Sequence, residues 1–304
     1  MRVAAIDCGT NSIRLLLADV DGGTLVDVDR RMEIVRLGEG VDRTGRFSDA
    51  ALERTFRACE TYAEVIRRER ATSVRFVATS ASRDVSNRTA FVEGVLTRLG
   101  VEPDVITGEE EARLSFTGAV RGLTNASAPR LVVDIGGGST EFVMGDEMPS
   151  HAVSVDIGCV RMTERCLVSD PPTAGEILAA TRDIDAAIER AVTAVPASAA
   201  ASLIGVAGSV TTVAAIALGL SAYDPAALHG SVISSDEVDA VTDRLLAMTR
   251  AERAALPVMH PGRVDVIGGG ALILRQIMHA TGHGSVIVSE HDILDGIAWA
   301  LADA

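Results

Sequence analysis

The chain has 304 residues, enough for two domains that each bury a core of their own. Hydrophobic residues make up 47% and charged residues 23%, with no apolar run long enough to span a bilayer. A formal charge of −14 argues against a general nucleic-acid binder, and all 28 basic residues are Arg, so any cationic side chain that meets a phosphate is a planar guanidinium.

In chain order, "VAAIDCG" and "IRLLLADVDGG" read as two strands joined by a polar Gly-Thr-Asn-Ser turn, and "EIVRLGEGV" as a third strand. The start reads as a first strand, and no secretory leader is expected. Cys8, Cys59, Cys159 and Cys166 form no C-x-x-C pair, so a cytoplasmic, reducing location is expected. From 48 to 70 the apolar positions Leu52, Phe56, Ala63 and Ile66 recur at helical spacing, with Ser48 as N-cap. "SVRFVATSA" is a strand, "RTAFVEGVLTRLG" a helix that ends at Gly100, and "EPDVIT" a strand. A helix from Glu109 runs toward the linker "GLTNASAPR" at 122–130.

A second strand-rich start follows at Leu131. Beyond it come a helix over 174–194, a strand–turn "SLIGVAGSVTT", helix near 236–248, the segment "DVIGGGALIL", a strand "SVIVS" and a terminal helix. Strands alternating with helices predict an α/β protein. The linker places one domain at 1–123 and another at 124–304, and the last helix, about 291–304, is expected to pack back on the first.

An approximate internal repeat accompanies this division. Asp7-Cys8-Gly9-Thr10-Asn11-Ser12 and Asp134-Ile135-Gly136-Gly137-Gly138-Ser139 share the pattern D-x-G-x-x-S, each between two apolar strands. The strand that follows excludes a Walker P-loop, which leads into a helix and needs a Lys this chain lacks. A strand–turn–strand loop of this kind gathers backbone N–H groups and a Ser hydroxyl around an anion. Gly-rich hairpin turns without a ligand are the plainer alternative, but they need neither the repeated Asp nor the repeated Ser.

These duplicated loops resemble those of the actin-like ATPase superfamily. Within it the chain is similar to the Ppx/GppA exopolyphosphatase and guanosine pentaphosphate phosphohydrolase family. The stretches "AIDCGTNSIRLL", "ATSASRDVSN", "ITGEEEARLSFTGA", "VVDIGGGSTEFV", "GVAGSVTTVAA" and "VIGGGALIL" carry the resemblance, in family order. It implies two actin-like, ribonuclease H-like domains with a cleft between them, in the short two-domain form of the family. It also implies Mg²⁺ or another divalent cation, held by Asp7, Asp134 and Glu141. Asp134 and Glu141 are then also catalytic. The phosphate-binding set comprises Gly9, Thr10, Asn11, Ser12, Arg83, Gly136, Gly137, Gly138, Ser139, Gly208, Ser209 and Thr211. "GVAGSVTT" is expected to supply a third backbone-rich loop, without the Lys some longer members place there.

"TGEEEAR" separates residue by residue. Thr107 and Glu110 match a capping box, and Glu109 in the first turn suits the helix dipole. Glu111 has no such duty and coincides with the family's catalytic glutamate, the base for the attacking water. For Arg83 the plainer alternative is a surface ion pair with Asp84, for Glu141 a solvated strand face, and for Asp7 and Asp134 an Asx-turn.

Other motifs are weaker. Cys8 and Arg14 satisfy the C-x5-R spacing of cysteine phosphatases, but a strand follows where that chemistry needs a helix, so Cys8 is expected in the core. His279 and His283 stand at i, i+4 without the Glu of a zinc motif. "VIGGGALIL" is expected to be a close-packing segment. Where many members carry Arg-Glu-Gly, this chain has Leu294-Asp295-Gly296, and a basic contact to substrate is expected to be missing.

The resemblance implies an exopolyphosphatase that releases orthophosphate from chain ends of inorganic polyphosphate, with short chains favoured because the acidic chain offers no extended basic channel. Alternatives are hydrolysis of guanosine pentaphosphate or a nucleoside triphosphate, tied to the stringent response, or a weakly catalytic alarmone sensor. A homodimer is expected, with no nucleic-acid or membrane partner.

Overall fold

The computed structural model describes residues 1–83 and 85–303. It divides into two compact units, Met1–Gly118 with Ile293–Ala304, and Ala119–Asp292.

In the first unit the strands are β1 Arg2–Cys8, β2 Ser12–Asp21, β3 Thr24–Ile34, β4 Ser73–Ala78 and β5 Asp104–Val105. They form one sheet in the order β3-β2-β1-β4-β5. β1, β2 and β3 make an antiparallel meander, whereas β4 joins β1, and β5 joins β4, in parallel. The helices are α1 Val41–Thr44, α2 Asp49–Glu69, α3 Ser80–Arg83, α4 Arg88–Leu99 and α5 Gly108–Arg121, with the C-terminal helix Ile293–Ala302 in the same unit.

Alternation along β1 sends Ala4, Ile6 and Cys8 into a cluster with α2 and α4. Val3 and Ala5 enter a second cluster with Ile106, Leu114, Leu294 and Ile297. A sheet covered on both faces explains the near-continuous apolar runs of β1 and β2. As expected, Ser48 caps α2 by accepting from the Ala51 N–H at 3.2 Å, and Gly100 ends α4 in the left-handed region. The third strand lies earlier than its apolar content predicts. It starts at Thr24, straight after the Gly22-Gly23 turn, and "VRLGEG" is loop. β3 is an edge strand with one face in solvent, so its polar residues hid it.

In the second unit the strands are β6 Arg130–Ile135, β7 Thr140–Gly145, β8 Pro149–Val155, β9 Ser202–Val206, β10 Val232–Ser234 and β11 Ser285–Val288. The sheet order is β10-β11-β9-β6-β7-β8. β6, β7 and β8 repeat the antiparallel meander, and β9 and β11 add to it in parallel. This is the strand order of the first unit with β10 appended, so both units are actin-like α/β domains. The helices are α6 Cys159–Cys166, α7 Ala174–Ala194, α8 Ala207–Ala217, α9 Pro225–Leu228, α10 Ser235–Ala247, α11 Arg250–Ala254 and α12 Ile267–Thr281, which makes the C-terminal helix α13. Capping boxes Thr173/Glu176, Ser234/Glu237 and Thr249/Glu252 start α7, α10 and α11. α7, α8, α10 and α12 bury their apolar stripes against β6, β7, β9 and β11 in one large core.

Candidate active site

Each meander holds its repeat motif at the turn between its first two strands. In the first unit the Gly9 N–H donates to Ser12 O at 2.9 Å; in the second, Gly136 N–H donates to Ser139 O at 3.0 Å. The two loops therefore close the same way, as the shared sequence pattern predicts.

What sets the direction of the loop amides was not legible in the motif. Behind the second loop stands the start of α6. Cys159 N–H donates to Gly136 O at 2.9 Å, and Val160 and Arg161 N–H donate to Gly137 O at 2.9 and 3.1 Å. Arg161 Nε donates to Gly138 O at 2.7 Å. A trans peptide is planar, so a carbonyl turned toward α6 turns the next N–H the opposite way. Three successive carbonyls facing α6 therefore aim the N–H groups of Gly137, Gly138 and Ser139 away from it, as an anion-binding nest. Gly158 makes this approach possible, because a Cβ there would stand 2.4 Å from Gly137 C and O.

The first loop is backed by the segment after β3. Gly38 N–H donates to Thr10 O at 2.8 Å, and Val35 and Arg36 N–H donate to Asn11 O at 3.1 and 2.8 Å. This aims the Asn11 and Ser12 N–H groups away from that segment. A Cβ on Gly38 would stand 2.2 Å from Thr10 Cγ2. "VRLGE" and "VRMTE" thus continue the internal repeat beyond the loops: each backs its loop, although Val35 and Arg36 bond the third loop carbonyl and Val160 and Arg161 the second.

The carboxylates next to the loops differ in their partners. Asp7 pairs in register with Arg14 on β2, and Arg14 Nη2 donates to Asp7 Oδ2 at 2.7 Å. Asp134 pairs in register with Glu141 on β7, and Glu141 with Ser154 on β8. Directly opposed residues share a sheet face, so two acids stand side by side there. Ser154 Oγ donates to Glu141 Oε1 at 2.7 Å. Glu141 is 1% exposed and Asp134 is buried, so Glu141 does not lie on a solvated face.

Glu111 sits in the first turn of α5 at 8% exposure. Arg83, at the end of α3, donates from Nη1 to Glu111 Oε2 at 2.6 Å. The two residues assigned to base and phosphate contact are thus brought together; Asp84, the alternative partner of Arg83, lies outside the described residues. Thr107 Oγ1 accepts from Glu110 N–H at 3.2 Å, but the Glu110 carboxylate binds Arg75 at 2.6 Å and does not turn back to the cap. Only half of the expected capping box forms, because Arg75 on neighbouring β4 is a stronger partner.

The expected third loop is a helix. β9 passes into α8 at Ala207, a residue in the left-handed region, so Gly208, Ser209 and Thr211 lie in the first turns of α8. The Tyr223 hydroxyl lies 2.7 Å from Thr211 Oγ1 and 2.6 Å from Glu290 Oε1. Its single proton goes to the carboxylate, so it accepts the Thr211 proton, and that hydroxyl is no longer a donor for phosphate. Burial, with Glu290 next, raises the Tyr223 hydroxyl well above its ordinary value. Sequence reasoning missed Arg263. Its guanidinium lies over Gly208, where a Cβ would be 2.2 Å from Cζ, and Nη1 donates to Thr212 Oγ1 at 3.1 Å. A cation therefore reaches the start of α8 from 55 residues away in sequence, past any local motif.

The "VIGGGALIL" segment forms most of the first half of α12 and packs closely, as expected. A Cβ on Gly270 would stand 2.3 Å from Ser209 Oγ, and one on Gly269 3.0 Å from Cys159 O. Cys8 is buried in β1, and burial pushes its thiol well up, away from a reactive thiolate. His279 faces Asp239 at 3.0 Å, and His283 faces Thr281 and Ala200 O. Leu294 is buried in the apolar cluster of the first unit, and Asp295 is held by Arg30 at 2.6 Å. Leu294, where the resemblance leads one to expect an Arg, is core here, and the cation for the adjacent Asp295 comes from β3.

Among the described residues, no three His, Cys, Asp or Glu side chains gather around one point for a metal ion. Asp134 and Glu141 nevertheless form a hard-oxygen pair of the kind Mg²⁺ takes. That ion is usually held by one or two carboxylates, with water and phosphate oxygens completing its shell.

Residues 16–303 match the model of the Ppx/GppA phosphatase family. Exopolyphosphatase 2 of Mycobacterium tuberculosis is 52% identical to this chain over 99% of it and 98% of its own length. A crystal structure of an exopolyphosphatase-like protein superposes with a TM-score of 0.95 at 44% identity, covering 98% of each chain. The Aquifex aeolicus member of the Ppx/GppA family gives 0.82 at 29% identity, covering 100% of this chain and 98% of its own.

Proposed function

The chain belongs to the Ppx/GppA phosphatase family, and on that premise we propose that it is an exopolyphosphatase, releasing orthophosphate from the ends of inorganic polyphosphate. The observation that carries this reading is the pair of meander loops, each with its carbonyls held from behind and its amides turned outward. The arrangement occurs twice, once in each unit, and each loop offers a cradle of the kind that takes a phosphate group.

Glu111 takes the proton of the attacking water. Arg83 holds Glu111 in place, and its guanidinium, with five donors, can bind a phosphate oxygen while keeping the carboxylate. The loop amides and the Ser12 and Ser139 hydroxyls hold phosphate oxygens as negative charge shifts toward the leaving group. Asp134 and Glu141 would hold Mg²⁺, with Ser154 fixing Glu141. Asp7, the third carboxylate of the expected set, is already paired with Arg14 and contributes less to metal binding. Bound there, the ion would neutralise phosphate charge.

Orthophosphate release from tripolyphosphate, long polyphosphate, guanosine pentaphosphate and nucleoside triphosphates tests the reading. Repeated turnover on polyphosphate, faster per chain end on short chains, is the expected result. Turnover confined to the guanosine or nucleoside substrates, or binding without release, would overturn it. No helix among the described residues is long and apolar enough to cross a membrane. A cytoplasmic dimer remains part of the proposal, and sedimentation of the purified chain tests the dimer.

A further inference from the structure

The two loops hold their third carbonyl differently. In the first unit Asn11 O accepts two backbone N–H groups, from Val35 at 3.1 Å and Arg36 at 2.8 Å. At the corresponding place in the second unit, Gly138 O accepts a side-chain bond, from Arg161 Nε at 2.7 Å. The main chain of α6 reaches only Gly136 O and Gly137 O. Gly136, Gly137 and Gly138 all lack a Cβ, so on its Gly138 side little local sterics opposes rotation of the Gly138–Ser139 peptide, and only Ser139 brings a side chain to it. Arg161 is half-buried, and its Nη2 lies 3.8 Å from Asp156 Oδ1, which biases the guanidinium toward this position.

We infer that Arg161 is a positioning residue for the reaction: it fixes the Gly138–Ser139 peptide so that the Ser139 N–H faces the substrate phosphate. It acts through the loop, and no contact between Arg161 and substrate is invoked. The inference rests on the proposed phosphate role of this loop. It adds that one replaceable side chain in the second unit does what the main chain does in the first.

The test compares the full-length wild type with Arg161→Met, which keeps most of the stem but removes the donor, and Arg161→Lys, which restores a donor. The readouts are kcat and KM on tripolyphosphate, the inhibition constant for orthophosphate, and the melting temperature. A charge-assisted hydrogen bond has the strength to change affinity by about tenfold or more. Arg161→Met is therefore expected to raise KM and the orthophosphate inhibition constant by about tenfold, with a smaller change in kcat, and Arg161→Lys to recover part of the loss. Unchanged KM and inhibition constants overturn the inference, including the case where activity falls only in proportion to the folded fraction. Crystals of Arg161→Met read the Gly138–Ser139 peptide directly, and an unmoved peptide also overturns it. If the wild type neither releases nor binds orthophosphate, the functional reading fails, and the crystal result still decides whether Arg161 sets the peptide.

Discussion

The two meanders have the same strand order, the same D-x-G-x-x-S turn and the same loop-closing hydrogen bond, yet they differ in charge beside the loop. Across β1 and β2 the register pairs Asp7 with Arg14, an acid with a base. Across β6 and β7 it pairs Asp134 with Glu141, an acid with an acid. Seven residues separate the members in both cases, so the repeat has kept the geometry and changed one side chain. The first hairpin pairs its acid with a base, whereas the second sets two carboxylates side by side, the pair to which the proposal assigns Mg²⁺. The two cradles thus share one backbone arrangement and differ in the side chains set beside it.

The largest effect expected concerns Glu111 of the first unit, to which the proposal assigns the base. Glu111→Gln is expected to lower kcat by ~10²–10⁴-fold with little change in KM, because it removes the proton acceptor and keeps the shape. Wild-type turnover in that variant would remove the base from Glu111 and leave the comparison without its catalytic half.

Next comes the division of charge itself. Glu141→Gln is expected to raise the Mg²⁺ concentration for half-maximal activity by about tenfold or more, since altered ligand shells typically weaken metal affinity by that much. Asp7→Asn is expected to raise it less, because Asp7 already has Arg14. Metal titrations of both variants decide this. Equal shifts would break the contrast between the hairpins, and full activity in excess chelator would remove the metal altogether.

A smaller effect separates the supports behind the loops. Gly158→Ala drives a Cβ into the Gly137 and Gly138 backbone, whereas Gly38→Ala meets mainly the Thr10 methyl group. Overpacking of this kind costs roughly 1–3 kcal/mol, and backbone yields less readily than a side chain. Gly158→Ala is therefore expected to lose more thermal stability than Gly38→Ala, as read by calorimetry; the reverse order would mean the α6 contact is softer than it looks.

The smallest effect is acid dependence in the second unit. The capping carboxylates Glu176, Glu237 and Glu252 are held below their ordinary value of 4.5 chiefly by backbone N–H bonds from Thr173, Ser234 and Thr249. A carboxylate whose folded value is depressed lends stability above its unfolded value, and that stability is lost as pH falls through the folded one. The melting-temperature gap between wild type and the triple Glu→Gln variant is expected to close below about pH 4.5. A gap constant down to pH 3 would rule out this linkage.

Much of the fold was legible because it follows from periodicity and caps. The buried strands β1, β2, β6 and β9 announce themselves as apolar runs, Ser48 starts α2, and Gly100 stops α4. β3 escaped because an edge strand half in solvent needs few apolar residues. The start of α8 escaped because "VAGSVTT" is rich in small and β-branched residues that read as a turn. Thr211 was assigned to phosphate from its motif, whereas its proton is taken by Tyr223, 12 residues further on.

The sequence alone determined the α/β class, the duplicated loop and the family, since these rest on local spacing and on six motifs in order. It also singled out Glu111, the acid of its block left without a helix-capping duty. Only the tertiary structure decided which way the loop amides face, that Arg14 holds Asp7 and Arg83 holds Glu111, and that Arg263 covers Gly208 and Arg30 serves Asp295. The physical reason is that a motif fixes which groups the chain offers locally. Their direction and charge state depend on donors that arrive from other strands and helices, at sequence distances no local pattern records.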